Sequence, residues 1–256
     1  MMPYVELKPF FGIIQPFGLL VVIAILVGTY LMGRRAEQLG YERSVSTDLV
    51  TWMVIVGFIV AHVFDVVAYR ADELRDNPWI LVDPRRFSIS SFGGFAGGVL
   101  GLFLWKWRRK QAVWPLADAA AFGLVPAWTF GRLGCFVAHD HPGHRSNFFL
   151  AVRYPGGSRH DLGLYEAIFA LIMGTVFLLM SRRPRKTGTY LALTCLSYAP
   201  VRFGLDFLRA TDVRGADPRY LGLTPGQYAS ILVFVVGIVV ARWVWGSPPD
   251  QRARPA

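Results

Sequence analysis

Long apolar runs recur along the 256-residue chain and constrain its fold more than any other feature. An α-helix needs about 20 apolar residues to cross a bilayer, and a soluble domain of this size cannot bury so many such runs. Only 17% of the residues are charged, against about 25% in soluble domains. The sequence therefore predicts an all-α polytopic membrane protein with about seven transmembrane helices, at roughly 12–32, 48–69, 88–106, 115–138, 162–181, 188–208 and 224–245.

The charges between the runs predict the orientation of the helices. The segments that follow the first, third and fifth runs are dense in arginine and lysine, as cytoplasmic loops are. The N-terminus and the loops 70–87, 139–161 and 209–223 are therefore expected outside, and the C-terminus in the cytoplasm. One transmembrane domain is expected over 1–246, with a short disordered tail over 247–256. These clusters also account for the net charge of +10, so nucleic acid is not an expected partner.

Cysteine and histidine are sparse. The two cysteines, Cys135 and Cys195, imply no disulfide framework. The four histidines between 139 and 160 do not fall at zinc-site spacings with a cysteine or carboxylate in a defined helix. We therefore expect neither a metal nor a cofactor.

An arginine between two glycines lies near the outer end of the fourth run. This run holds Gly131, Arg132 and Gly134 after Pro126, so its second half is expected to be kinked or broken and to line a cavity. The glycines allow a guanidinium and backbone N–H groups to approach a ligand phosphate. A snorkelling arginine is the alternative, but snorkelling does not require glycines on both sides. We predict that Arg132 binds phosphate.

Further ionisable residues lie inside apolar runs, where each costs about 2.5–3.5 kcal/mol at mid-helix. Glu166 lies about one turn inside the fifth run and needs a buried partner, for which an arginine of another helix is expected. Arg202 and Asp206 are i,i+4 neighbours and are predicted to pair. Such a pair can be purely structural. Arginines that converge on one outer-leaflet cavity, Arg132 and Arg202 with Arg209, suit an anionic lipid headgroup.

At these clusters the chain resembles the prolipoprotein diacylglyceryl transferases, and the resemblance covers nearly the whole chain. Six motifs carry it in order: Phe17-Gly18-Leu19-Leu20, Ser91-Phe92-Gly93-Gly94, Gly131-Arg132-Leu133-Gly134-Cys135-Phe136 with Asp140 and Gly143, Arg159-His160 to Leu164-Tyr165-Glu166, Arg202 to Asp212, and Leu223-Thr224-Pro225-Gly226-Gln227. The resemblance implies a multi-pass enzyme of a bacterial inner membrane, expected as a monomer, with its active site facing the periplasm.

The same resemblance implies the reaction. The diacylglyceryl group of phosphatidylglycerol would pass to the lipobox cysteine thiol in the signal peptide of a prolipoprotein, and glycerol phosphate would be released. By motif match Arg132 and Arg202 would hold the phosphate, and Asp140 and Asp206 would replace two glutamates of the family. The site would also include Gly131, Gly134, Cys135, Arg209, Tyr165, Glu166, Gly93 and Gly94.

Some of these positions also have structural interpretations. Gly93 and Gly94 belong to a small-residue stretch that favours close helix packing, and Tyr165 suits the interfacial aromatic belt. Two alternative functions stay open. One is a paralogue that uses phosphatidylglycerol with another acceptor. The other is a lipid-binding or transport protein on the same fold, although the inverted repeats typical of transporters are not evident.

Besides the two aspartates, three further positions depart from the family pattern. Phe92 stands where the family has histidine, Phe17 where it has tyrosine, and Cys135 where it has asparagine. The loss of the histidine matters because a base must take the proton of the incoming thiol. The candidates are three histidines, of which the first two flank Asp140, a carboxylate able to orient one of them: His139, His141 and His160.

Overall fold

The computed structural model describes residues 1–5, 7–10, 15–83, 86, 88–213 and 216–246, without the side chains at 91 and 92. The predicted tail over 247–256 and the predicted start of the first span lie outside these residues. Within them the elements are α1 Pro16–Gln38, α2 Arg43–Tyr69, α3 Ala71–Asp76, a 3₁₀ turn Pro78–Leu81, α4 Ser91–Arg109, α5 Val113–Ala138, β1 Pro142–Arg145, β2 Val152–Tyr154, β3 Gly157–Asp161, α6 Leu162–Met180, α7 Thr189–Asp206 and α8 Pro225–Gly246.

Five of these helices, α1, α2, α5, α6 and α8, are long and apolar enough to cross a membrane. The prediction of a mostly helical, multi-pass membrane protein is confirmed to that extent. The other two predicted spans also form helices, α4 and α7, of 19 and 18 residues. Both carry charged residues near their C-terminal ends, which lowers their hydropathy. That α4 and α7 cross the membrane stays a prediction, as does the orientation of the termini.

The fourth span was expected to be kinked or broken, and a break is wrong, because α5 is continuous through Pro126. The kink stays a prediction. A neighbouring helix covers the proline: a Cβ added at Gly174 of α6 would lie 2.9 Å from the Cα of Pro126. Helix-distorting residues are tolerated in a membrane where protein packs against them, since lipid then does not reach the disturbed backbone.

The strictly all-α expectation missed a small antiparallel sheet between α5 and α6, with strand order β1-β3-β2. In the turn from β2 to β3, Gly156 and Gly157 have φ values of +88° and +131°, which favour glycine. The segment after α7 joins the outer edge of β1, where the His144 amide donates to the Leu208 carbonyl at 2.7 Å. Strands of three to five residues are too short for an alternating pattern to be read from sequence.

The chain forms two compact units, one of Met1–Arg35 with Ala117–Ala256 and one of Ala36–Leu116. In the second unit α2 and α4 pack closely through glycines of α4. A Cβ added at Gly93 would lie 2.7 Å from the Cα of Ala61, and one added at Gly97 would lie 2.8 Å from the Cα of Gly57. The small-residue interpretation of this stretch is therefore confirmed for Gly93, whereas Gly94 makes only an ordinary contact at 3.9 Å.

Candidate active site

A cluster of buried polar side chains in the first unit lies where α5 and α7 end and α6 begins. Its centre is Glu166, whose side chain is 0% exposed. Arg132 Nη2 of α5 lies 3.0 Å from its Oε2, and Arg202 Nη1 of α7 lies 3.5 Å from its Oε1. The hydroxyl of Tyr198 donates to Oε2 at 2.9 Å. The expected arginine partner of Glu166 is thus confirmed, and two arginines share this one carboxylate.

The second carboxylate of the cluster is Asp206. The predicted i,i+4 pair is confirmed, because Arg202 Nη1 lies 2.8 Å from Asp206 Oδ1. Asp206 also accepts a hydrogen bond from the hydroxyl of Thr224, the residue directly before α8. Arg209 lies at the margin, with Nη1 at 3.8 Å from Asp206 and Nε at 2.8 Å from Asp217. The cluster therefore joins the ends of α7 and α8 as well as holding two guanidinium groups near each other.

Arg132 is held by its own helix and has free space beside it. Its guanidinium lies over the ring of Trp128 at 4.9 Å and contacts the sulfur of Cys135 at 3.8 Å. Nothing lies within 4 Å of a Cβ added at Gly131, whereas one added at Gly134 would lie 3.1 Å from the Phe17 ring. Gly131 thus leaves room for a ligand, and Gly134 serves packing against α1. Among the described residues, the buried Nε of Arg132 has no hydrogen-bond partner.

Asp140 and His141 lie next to Cys135. His139, in the left-handed region at φ +52°, ends α5 and turns the chain. Asp140 Oδ1 is hydrogen-bonded to Nδ1 of His141, whose backbone carbonyl accepts from Leu162 N at 3.1 Å. Potential ligand atoms of Cys135, Asp140 and His141 all lie within 4.8 Å of one another. Cys135 therefore lies between Arg132, which it contacts, and a carboxylate–histidine pair whose ligand atoms are within 4.8 Å of its sulfur.

The other two candidate histidines have different surroundings. His139 contacts Asp161 through Nδ1 at 3.3 Å and the Val5 carbonyl through Nε2 at 3.2 Å, and its ring stacks on Tyr4. With an acceptor at each nitrogen, its imidazole is engaged in tying the N-terminal segment to the sheet. His160 Nδ1 is hydrogen-bonded to the hydroxyl of Tyr165 at 2.8 Å. Burial, with His144 nearby, lowers the pKa of His160. Of the three, His141 is the one beside Cys135.

Two residues around these groups, Tyr198 and Trp128, escaped the sequence interpretation, and Asp161 of the Arg159-His160-Asp161 cluster has contacts that the sequence did not predict. Tyr198 contacts Glu166, Trp128 supports Arg132, and Asp161 binds His139 while it caps α6 by accepting from the Leu164 amide at 3.0 Å. The signal for the first two was present, because Tyr198 lies four residues before Arg202 and Trp128 four before Arg132, on the same helix faces. Asp161 directly before an apolar run is a recognisable N-cap.

Gly93 and Gly94, the remaining predicted substrate contacts, lie in the second unit. The side chain at Phe92 is outside the described part of the chain. A substrate role for these two glycines stays a prediction.

These features define a class of protein: a multi-pass membrane protein with arginines and carboxylates buried together at one end of its helices. The profile of the prolipoprotein diacylglyceryl transferase family matches residues 6–243. The chain belongs to this family.

Several relatives named phosphatidylglycerol–prolipoprotein diacylglyceryl transferase match along nearly their whole length. One from Chromohalobacter salexigens is 28% identical over 261 residues, which cover 98% of this chain and 97% of the relative. One from Pseudomonas putida is 29% identical over 276 residues, which cover 100% of both chains. A Clostridium perfringens relative, named as transferase 2, is 26% identical and covers 92% of this chain and 93% of its own.

Proposed function

We propose that this protein moves the diacylglyceryl group of phosphatidylglycerol to the lipobox cysteine thiol of a prolipoprotein and releases glycerol phosphate. The observation that carries the proposal is the pair of guanidinium groups, Arg132 and Arg202, which share the buried Glu166. Membership of the family and the names of its relatives give the reaction class.

The two arginines suit the leaving phosphate. Displacement at the glycerol carbon leaves the bonding electrons on the phosphate oxygen, so negative charge grows there in the transition state. Fixed cations at that position stabilise the transition state more than the ground state. Glu166 pairs with both guanidiniums, and Asp206 supplies the second negative charge through Arg202. The buried Nε of Arg132 and the space beside Gly131 are where a phosphate oxygen would be accommodated.

An apolar groove in the first unit suits the lipid part of the substrate. It has a volume of about 560 Å³ and is lined by α1, α5 and α6. Two lining residues, Thr129 and Phe130, directly precede Gly131 and Arg132 in α5. An acyl chain lying in this groove would bring its headgroup toward Arg132.

The acceptor thiol belongs on the side of Cys135, Asp140 and His141. We assign His141 as the group that takes the thiol proton, with Asp140 orienting its ring through Nδ1. The thiolate sulfur then forms a bond to the glycerol carbon while the carbon–oxygen bond to phosphate breaks. The proton stays on His141 and the negative charge on phosphate, beside the arginines.

The proposed location is a bacterial inner membrane with this site at its outer face. Reporter fusions after Lys110 and Lys186 should report the cytoplasm, and a fusion at His144 the outside. A cytoplasmic signal from His144 would contradict the proposed location of the site.

The reaction itself is tested with purified protein, labelled phosphatidylglycerol and a lipobox peptide. Mass spectrometry should find the peptide heavier by one diacylglyceryl group in thioether linkage, together with free glycerol phosphate. Consumption of lipid without a modified peptide would favour another acceptor, in line with the departures at Phe92 and Cys135. Lipid that binds but is never consumed would favour a non-catalytic lipid-binding protein.

A further inference from the structure

We propose that Cys135, Asp140 and His141 form a binding site for a divalent, thiophilic cation such as Zn²⁺. Among the described residues, the four histidines between 139 and 160 do not form such a site with one another. The structure instead brings one of them to a cysteine and a carboxylate, at the end of α5 and the turn that follows it. Thiolate, imidazole and carboxylate are the three ligand types that zinc uses, and three protein ligands leave a fourth position open.

The distances allow the three ligands to reach one ion. Zinc bonds of about 2.3 Å to sulfur and 2.0–2.2 Å to nitrogen or oxygen place tetrahedral ligand atoms roughly 3.3–3.7 Å apart. The ligand atoms here lie within 4.8 Å of one another, so shifts of about 1 Å bring them to one ion. Asp140 and His141 are already in hydrogen-bond contact and would separate slightly to admit it.

Backbone hydrogen bonds hold two of the three ligand residues, Cys135 and His141, in place. Cys135 lies in the last turn of α5, and the carbonyl of His141 accepts from the Leu162 amide at 3.1 Å. Pro142, the next residue, is paired with Asp161 of β3. Ligands that start from rigid elements need little ordering when the ion binds.

Charge balance also favours a divalent cation. One thiolate and one carboxylate, with a neutral imidazole, neutralise a charge of +2. The nearby cation Arg132 is itself paired with Glu166 at 3.0 Å, which reduces its repulsion of a metal. The thiolate makes the site unsuitable for Mg²⁺ or Ca²⁺, which prefer oxygen ligands. The side chain of Asp140 is 43% exposed, so an ion reaches the site from solvent.

Metal occupancy has a consequence for the proposed reaction, and this consequence rests on the proposed function. A neutral imidazole has one lone pair, so a metal-bound His141 cannot accept a proton from the acceptor thiol. Zn²⁺ is therefore expected to inhibit transfer reversibly. The metal site itself depends only on the three ligands.

The experiment titrates the purified full-length protein in detergent with Co²⁺, without lipid or peptide. Thiolate coordination gives an intense near-ultraviolet charge-transfer band, which Zn²⁺ should abolish by displacement. We expect one bound Co²⁺ per chain, complete loss of the band in Cys135→Ser, and affinity at least about tenfold weaker in His141→Gln and Asp140→Asn. Cys195→Ser is the matched control, since Cys195 is a buried cysteine of α7 and should leave the band unchanged.

The site is disproved if the parent shows no such band or if the Cys135→Ser variant keeps it. If Cys135→Ser does not fold, a Co²⁺ affinity equal to that of the parent in both His141→Gln and Asp140→Asn would also disprove the site. The two proposals fail separately. A cobalt band in a protein without transfer activity leaves the metal site standing, and transfer without a band leaves the enzyme standing.

Discussion

Two buried arginine–carboxylate clusters lie at opposite ends of the same helices, and they differ in what donates to the carboxylate. Near the start of α5, Asp118 receives the backbone amides of Tyr190 and Leu191 at 2.8 and 3.1 Å, with Arg35 at 3.5 Å. Near the other end, the donors to Glu166 among the described residues are side chains of α5 and α7.

The donor type decides what each cluster can do. The amides on Asp118 belong to the first turn of α7, where N–H groups lack helical partners, so this carboxylate fastens a helix end. The side chains on Glu166 can rotate toward another anion. The two ends of α5 also differ in packing. A Cβ added at Gly123, near Asp118, would lie 2.5 Å from the Gly28 carbonyl, whereas one added at Gly131, next to Arg132, would meet nothing within 4 Å. Similar charges thus serve packing at one end and, on our proposal, binding at the other.

The sharpest test of this contrast replaces each arginine by lysine. Arg132→Lys should lower the transfer rate by about 10²–10³-fold, because an ammonium keeps the charge but loses the bidentate geometry. Arg35→Lys, the matched control, should lower the melting temperature and leave the rate of the folded enzyme within about threefold. Rates come from the lipobox-peptide assay. Equal rates for Arg132→Lys and the parent would make Arg132 a snorkelling anchor.

A second test asks whether the active site includes His141 and Asp140, which lie beyond Cys135. His141→Gln should lower turnover by about 10²-fold while phosphatidylglycerol still binds, because only proton removal is lost. The deficit should shrink at higher pH, where more of the acceptor thiol ionises unaided. His144→Gln, a change in β1, is the control. If replacements at His139 or His160 have the larger effect, the assignment of His141 is wrong.

A third test compares two near-isosteric changes, Glu166→Gln and Asp118→Asn. Each breaks a buried pair, at a cost of about 3–5 kcal/mol, so both variants should melt earlier than the parent. Glycerol phosphate at about 10–100 times its Kd should return roughly 1.5–3 kcal/mol to Glu166→Gln, because the anion replaces the lost charge between two guanidiniums. Melting curves in detergent measure both. Asp118→Asn keeps the Arg132–Arg202 site and should therefore gain only as much as the parent does. A gain in Glu166→Gln no larger than theirs would remove the proposed difference between the clusters.

The smallest effect concerns the ion pair between Arg159 of the central strand β3 and Asp212, which follows α7. Arg159 donates two hydrogen bonds to Asp212, at 2.8 and 2.6 Å, and lowers the pKa of Asp212 to about 2 from 3.8. The unfolded chain therefore binds the proton more readily, so the stabilisation is complete above about pH 4 and is lost as pH falls toward 2. Asp212 is 50% exposed, so the effect is small. Between these pH values the parent should lose melting temperature more steeply than Asp212→Asn, and equal slopes would contradict the pairing.

Local spacing predicted some of the site well. The Arg202–Asp206 pair follows from helical geometry, and the need of Glu166 for a partner follows from the cost of a buried charge. The choice between histidines did not follow, because it depends on contacts far apart in sequence. His139 is engaged by Val5 and Asp161, and neither contact has a local signal. The continuity of α5 through Pro126 likewise depends on Gly174 of another helix.

By itself the sequence determined the helical, membrane-spanning character of the chain, since apolar length and charge placement act through solvent and need no tertiary contact. It also determined the family, through motifs in fixed order. Only the tertiary structure decided which carboxylate the two arginines share, which histidine lies beside Cys135, and that a small sheet lies between α5 and α6. These outcomes depend on distances of a few ångströms between elements, because hydrogen bonds and metal coordination act only at contact, and helix packing sets those distances.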